Sequence, residues 1–173
     1  MSDLEVLLEA RKFRVVRTRE TTRNGEQRSR EVVRHPGAVA VLPILDDGRI
    51  VLIDTFRFAV GKRLIEIPAG TLDPGEEPIA TAHRELAEET GYRAGSMEPL
   101  TVIYSSPGVL DERMYLYVAR QLTPGPTALE AGEDIELLTV TWEQAIEMTR
   151  DGRIQDAKTL VTLLWYDAFG PKA

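Results

Sequence analysis

Apolar positions along the chain come mostly in short runs broken by turn residues, and few segments carry helical spacing. Residues 12–18 and 27–34 flank Thr22-Arg23-Asn24-Gly25, and Asn-Gly between two β-leaning runs predicts a hairpin. His35-Pro36-Gly37 ends it as a turn. Residues 38–45 are nearly all apolar and read as a central strand, with Pro43 marking a bulge or its end. Asp46-Asp47-Gly48 turns the chain, so 49–56 is expected to return as the second strand of a hairpin. Short strands are predicted at 64–68, 100–104, 113–119 and 135–140.

Helices are fewer. One closes the stretch 70–92. A second starts behind Thr141 as N-cap and runs to Arg150, and a third, 157–169, is capped by Asp156. In the last, Leu160, Val161, Leu164, Trp165 and Ala168 recur at helical spacing and predict a core-facing stripe. Strands outnumber helices and do not alternate with them regularly, so the fold class is α+β. Segment 128–134 is the longest irregular stretch, and loops of that length in compact domains are often functional.

The chain has 173 residues, enough for one domain with a substantial core. It has no cysteine, which excludes disulfides, thiolate metal sites and thiol nucleophiles. No apolar run reaches the ~20 residues of a membrane span and no secretory signal pattern opens the chain, so cytoplasmic residence without a membrane partner is expected. Net charge is −7, which disfavours nucleic acid as a partner. From Arg11 to Arg34, however, nine Lys/Arg face three Glu. Either these are solvated strand faces, or some arginines meet an anionic ligand or a partner subunit.

The densest chemistry lies between Gly70 and Tyr92. On a helical wheel Glu85 and Glu89 fall ~40° apart, with Glu88 ~60° to the other side. Three like charges so close repel, and a hard divalent cation with oxygen ligands would relieve them. Gly70, five residues, Glu76, seven residues, then Arg84-Glu85-Leu86-Ala87-Glu88-Glu89-Thr90-Gly91-Tyr92 resembles the full box of the Nudix hydrolases. Leu64 to Gly70 before the box and Tyr104 to Glu112 after it are similar to the ADP-ribose pyrophosphatase branch, with Pro107 standing 15 residues beyond Tyr92. The likeness extends from about Arg11 to Phe169.

The resemblance implies a Nudix fold, a mixed β-sheet sandwiched between helices (α/β/α), with an N-terminal antiparallel β-hairpin subdomain over 1–36 and the hydrolase domain over 37–173. It implies hydrolysis of the diphosphate of ADP-ribose with Mg2+, for which Mn2+ or Zn2+ could substitute. The metal ligands would be Glu85, Glu88, Glu89, the Ala69 carbonyl and Glu133. Glu133 is also the expected general base, with Glu130 next. Arg84 would hold the acidic cluster, and Glu76 would either bind metal weakly or pair with Arg84. Arg57, Glu66, Gly108 and Glu112 would bind substrate, Glu66 being equally open to a structural ion pair. The N-terminal hairpin would cross to a second subunit in a homodimer. His35, in a turn, and His83, off the carboxylate face, are not expected in catalysis. Two other readings compete: a hydrolase of another nucleoside-diphosphate sugar such as GDP-mannose, and a non-catalytic ligand-sensing module. The retained Glu85, Glu88 and Glu89 argue against the latter.

Overall fold

A computed structural model describes residues 4–129, 132 and 134–171. The strands are β1 (Glu5–Glu9), β2 (Arg14–Thr21), β3 (Gln27–Arg34), β4 (Ala38–Pro43), β5 (Ile50–Arg57), β6 (Lys62–Glu66), β7 (Ala69–Thr71), β8 (Tyr92–Tyr104), β9 (Arg113–Pro124) and β10 (Ile135–Val140). The helices are α1 (Pro78–Thr90) between β7 and β8, then α2 (Trp142–Arg150) and α3 (Ala157–Phe169) after β10.

Strand β4 is buried along its whole length, and its alternation builds the layers. Ala38, Ala40 and Leu42 face a cluster that includes Ile50, Leu52, Leu116 and Val118, with Ala145 and Met148 of α2 and Leu163 of α3. Val39 and Val41 face the other way, onto Ala82 and Leu86 of α1. Helices therefore cover both sides of the strand layer, the α/β/α sandwich expected. The layer consists of a mixed sheet ordered β7-β4-β9-β8, in which β4 and β9 run parallel, and an antiparallel sheet ordered β10-β5-β6.

The predicted hairpin of 38–45 with 49–56 does not form. The two strands meet at one isolated bridge, Ile44 with Ile50, and then enter different sheets. Both edges of β4 are taken by β7 and β9, and both edges of β5 by β10 and β6, so neither can pair with the other. The N-terminal hairpin of β2 and β3 forms, with Gly25 left-handed at φ 80° in its turn. A third strand, β1, joins it and was not anticipated. Strands β8 and β9 also run longer than expected, pairing from Tyr92–Pro124 to Tyr104–Arg113.

Helix α3 corrects the predicted core stripe. Thr159, Thr162 and Leu163 are buried, whereas Val161 and Leu164 are 38% and 50% exposed and Ala168 is also outside. The threonines can be buried because their hydroxyls are satisfied: Thr162 donates to the Lys158 carbonyl at 2.7 Å and Thr159 to Asp156 at 2.6 Å. The two N-caps hold as read: Thr141 accepts from the Gln144 N–H at 3.2 Å, and Asp156 accepts from the Thr159 N–H at 2.9 Å.

Helix α1 begins with Pro78, whose missing N–H is no loss there, and ends at Gly91. Gly91 has φ 74°, and a Cβ on it would stand 2.4 Å from the Gly125 carbonyl oxygen, so glycine is required twice over. The Ala128 N–H then donates to the Glu88 carbonyl at 3.0 Å. The late loop thus starts from the end of the box helix. Among the described residues no helix is long and apolar enough to cross a membrane.

Candidate active site

No strand was predicted at β7; its three residues pair with β4, Gly70 opposite Val39 and Ala69 opposite Ala40. Because α1 packs on the Val39 face of β4, its outward side passes over this short edge strand. A Cβ built on Gly70 would lie 1.9 Å from the Glu85 carboxyl carbon. The Glu85 carboxylate therefore rests where any side chain at position 70 would sit, and only glycine permits it.

One residue earlier, the Ala69 N–H donates to Glu89 at 2.9 Å, holding a carboxylate that is itself buried. In extended chain the N–H and C=O of one residue leave on the same side. The Ala69 carbonyl thus shares the edge that meets Glu89, while the preceding Pro68 carbonyl points to β4 and accepts from Val41 at 2.9 Å.

Arg84 binds this cluster together. Its Nε and Nη2 donate to the two Glu76 oxygens at 3.2 and 3.0 Å, and its Nη1 donates to Glu85 at 2.7 Å and Glu88 at 3.0 Å. The Arg84–Glu76 pair is the one read from the sequence. The guanidinium beside it holds the Glu76 carboxyl far down, from 4.5 to about 2, and the same contact raises Arg84. Arg84 also offsets the mutual repulsion of the box glutamates.

Arg57, at the end of β5, lines the same cleft of about 250 Å³ with Ala69, Gly70, Glu85, Glu88 and Glu89, joined by Arg11 and Lys12 from the N-terminal sheet. Its guanidinium pairs bidentately with Glu66 at 2.8 and 2.7 Å. Glu66 is 1% exposed and is also met by Lys158 of α3. Burial alone would push the Glu66 carboxyl up, but the Arg57 hydrogen bonds and the charges of Lys158 and Arg57 outweigh it and hold it low. Glu66 thus lies behind Arg57, its oxygens taken by two cations.

Gly108 and Glu112 stand apart from the cleft. Their loop is fastened to β3, where the Val33 N–H donates to the Val109 carbonyl at 2.8 Å and Asp111 accepts from Arg34 at 2.8 Å. Glu112 accepts from the Ser105 hydroxyl at 2.5 Å and lies 3.4 Å from His35 Nδ1. His83 is exposed. Glu130, Ala131 and Glu133 lie outside the described residues. Lys158 and Lys12 were given no individual role from the sequence, and Arg11 only as one of the arginines of the basic stretch that could meet an anionic ligand; Lys158 lies 92 residues from the Glu66 it meets, beyond the reach of any local pattern.

The donor chemistry fits a hard divalent cation: three carboxylates and a carbonyl edge, all oxygen. Among the described residues no three acidic or histidine groups are arranged as a ready cage, because Glu85 and Glu88 are turned onto Arg84 Nη1. A cation would compete with Arg84 for the same oxygens.

A family model of the NUDIX domain matches residues 34–163. The chain belongs to the NUDIX domain family. It is 44% identical over 138 residues to the ADP-ribose pyrophosphatase of Bacillus subtilis, covering 79% of this chain and 75% of that one. A methanol dehydrogenase activator of Bacillus methanolicus is 43% identical, covering 81% and 77%. A GDP-mannose pyrophosphatase of Enterobacter is 37% identical, covering 87% and 84%. A crystal structure described as an ADP compounds hydrolase superposes with a TM-score of 0.85 at 24% identity, over 96% of this chain and 91% of the other, which establishes the shared fold. The protein is a Nudix hydrolase by family.

Two predictions follow the geometry. Gly70→Ala should displace the Glu85 carboxylate and lower kcat by ~10²-fold or more, the order expected for losing a positioned charge in the site. Steady-state kinetics beside circular dichroism checks this; wild-type turnover in a folded variant would refute the contact. Glu76 is depressed in the folded state, so its contribution to stability is complete above its ordinary pKa near 4.5 and is lost as pH falls toward 2. Glu76→Gln should therefore flatten the decline in urea midpoint between pH 5 and about pH 2. Equal slopes in the two proteins would remove Glu76 from the acid response.

Proposed function

We propose that this NUDIX-domain enzyme hydrolyses the diphosphate of ADP-ribose in the cytoplasm. Water adds to one phosphorus as the bridging P–O bond breaks, and the products are AMP and ribose 5-phosphate. The observation that carries this reading is the Glu85, Glu88 and Glu89 cluster seated on β7 with Arg57 lining the same cleft. The likeness to the Bacillus subtilis ADP-ribose pyrophosphatase supports the substrate.

Breaking a diphosphate requires its negative charge to be neutralised while a water is delivered. A divalent cation, magnesium with manganese or zinc as substitutes, held by Glu85, Glu88, Glu89, the Ala69 carbonyl and Glu133, would supply charge neutralisation and a bound water of lowered pKa. Arg84 keeps Glu85 and Glu88 gathered before the substrate arrives. The Ala69 N–H fixes one oxygen of Glu89 and so orients the other. Arg57 presents its remaining guanidinium donors to the phosphate oxygens, held from behind by Glu66, whose role on this reading is to aim Arg57. Glu133, or Glu130 in its place, takes the proton from the attacking water. Gly108 and Glu112 do not line the cleft, and on this reading they meet the ribose end where the substrate extends beyond it.

GDP-mannose is the second reading, favoured by the 37% identity to a GDP-mannose pyrophosphatase. A panel of nucleoside-diphosphate sugars with magnesium separates the two, with product analysis in ¹⁸O water to identify the phosphorus attacked. ADP-ribose should give the highest kcat/KM, and Glu85→Gln and Glu89→Gln should each lose ~10²-fold or more in kcat. Preference for GDP-mannose would overturn the substrate, and near-normal turnover in both variants at saturating magnesium would overturn the metal assignment.

The same reading takes residues 1–36 as a dimerisation subdomain and 37–173 as the hydrolase domain. Strand β1 is exposed throughout, and Val6, Leu8 and Phe13 of the N-terminal sheet are open to solvent. Such apolar surface on a small sheet favours a covering subunit. Light scattering should give the mass of a homodimer; a monomer at working concentration would remove this assignment.

A further inference from the structure

The first turn of α3 carries a charge cluster that reaches the cleft through two side chains. Asp156 caps the helix: one carboxylate oxygen accepts from the Thr159 N–H at 2.9 Å and the Thr159 hydroxyl at 2.6 Å, and the other accepts from Lys158 Nζ at 2.9 Å. The Thr159 hydroxyl in turn accepts from the Ile67 N–H at 2.9 Å. This pins the helix start to the residue after Glu66, which is why Lys158, itself nearly buried, reaches the Glu66 carboxylate.

The charges in this chain are unequal in their needs. Asp156 already sits at a helix N-terminus, where N–H donors and the helix dipole stabilise a negative charge without a cation. Glu66, in contrast, is buried at the end of a strand with no such help and must be met by positive charge. If Arg57 were its only partner, the pair would be neutral and Arg57 would offer the cleft little net field. We propose that Lys158 is a positioning residue for Arg57: its ammonium neutralises Glu66, so that Arg57 keeps both its orientation and its positive charge for the diphosphate of the substrate.

The geometry accords with this division. Arg57 uses Nε and Nη2 on Glu66, and a guanidinium has five N–H donors, so the Nη1 edge remains for the cleft that Arg57 lines. Lys158 is absent from that cleft lining and acts from behind. The proposal rests on Arg57 being the diphosphate arm, and its test is built so that the two can fail separately.

The experiment is a double-mutant cycle on KM and kcat for ADP-ribose with magnesium. Lys158→Met should raise KM about tenfold with kcat changed less than about threefold, and Lys158→Arg should restore most of the loss. In the Arg57→Ala background, Lys158→Met should add nothing, because both act through one guanidinium. An unchanged KM in folded Lys158→Met, or a rise that multiplies on top of Arg57→Ala, would overturn the proposal. Should Lys158→Met fail to fold, Lys158→Gln, which keeps a hydrogen-bond donor and loses the charge, decides: a KM raised about tenfold supports the proposal, and an unchanged KM overturns it. A wild type inert on the whole substrate panel would sink the proposed reaction, and calorimetric binding of ADP-ribose to the same variants would then read Lys158 directly.

Discussion

The contact of Glu85 with the bare Cα of Gly70 determines how closely the box helix may approach the strand beneath it. Both partners are referenced to the same element. Gly70 is placed by its pairing with Val39, and Glu85 by the burial of Ala82 and Leu86 of α1 against Val39 and Val41. A side chain at position 70 would have to lift the helix from that packing or turn Glu85 away. Glu89 repeats the arrangement one strand residue earlier, on the Ala69 N–H. The carboxylates therefore stand at heights set by backbone, which is stiffer than any side-chain scaffold.

Two arginines serve this cleft in opposite ways. Arg84 touches Glu76, Glu85 and Glu88, and its charge is absorbed within the cluster it steadies. Arg57 is paired with Glu66, which Lys158 shares. The difference follows from burial. The glutamates around Arg84 keep partial access to water, so one cation among three carboxylates is tolerable, whereas fully buried Glu66 draws two. The N-terminus of α3 supplies the second and is itself located by the Thr159–Ile67 bond.

What could be read from the chain was what short spacing encodes. The box glutamates, the Arg84–Glu76 pair, the N-caps Thr141 and Asp156 and the Asn24-Gly25 hairpin depend on neighbours within a few residues, and the structure has them. Misread features depended on competition at a distance. Residues 38–45 and 49–56 look like a hairpin until β7, β9, β10 and β6 claim their edges. Three residues at 69–71 become a strand only because β4 offers an open edge. In α3 the apolar residues occupy more than one side, so counting them did not show that satisfied Thr159 and Thr162 would be buried. Lys158 could be read only as part of a family-like stretch and not given a role, since nothing near it in sequence points to Glu66.

The same separation orders the loops around the site. The loop bearing Gly108 hangs from β3 through Val33 and Arg34, and the late loop begins at the Glu88 carbonyl of α1. A shift of the N-terminal sheet would carry the first loop with it, since two backbone hydrogen bonds and an ion pair join them, yet it would leave the Gly70–Glu85 contact untouched. Ala128, in contrast, is held by the helix that bears the carboxylates, through the Glu88 carbonyl. The box carboxylates are thus tied to α1 and β7. The loop bearing Gly108 is tied to the N-terminal sheet instead. That mechanical division lets loop contacts vary while the geometry of the box is kept.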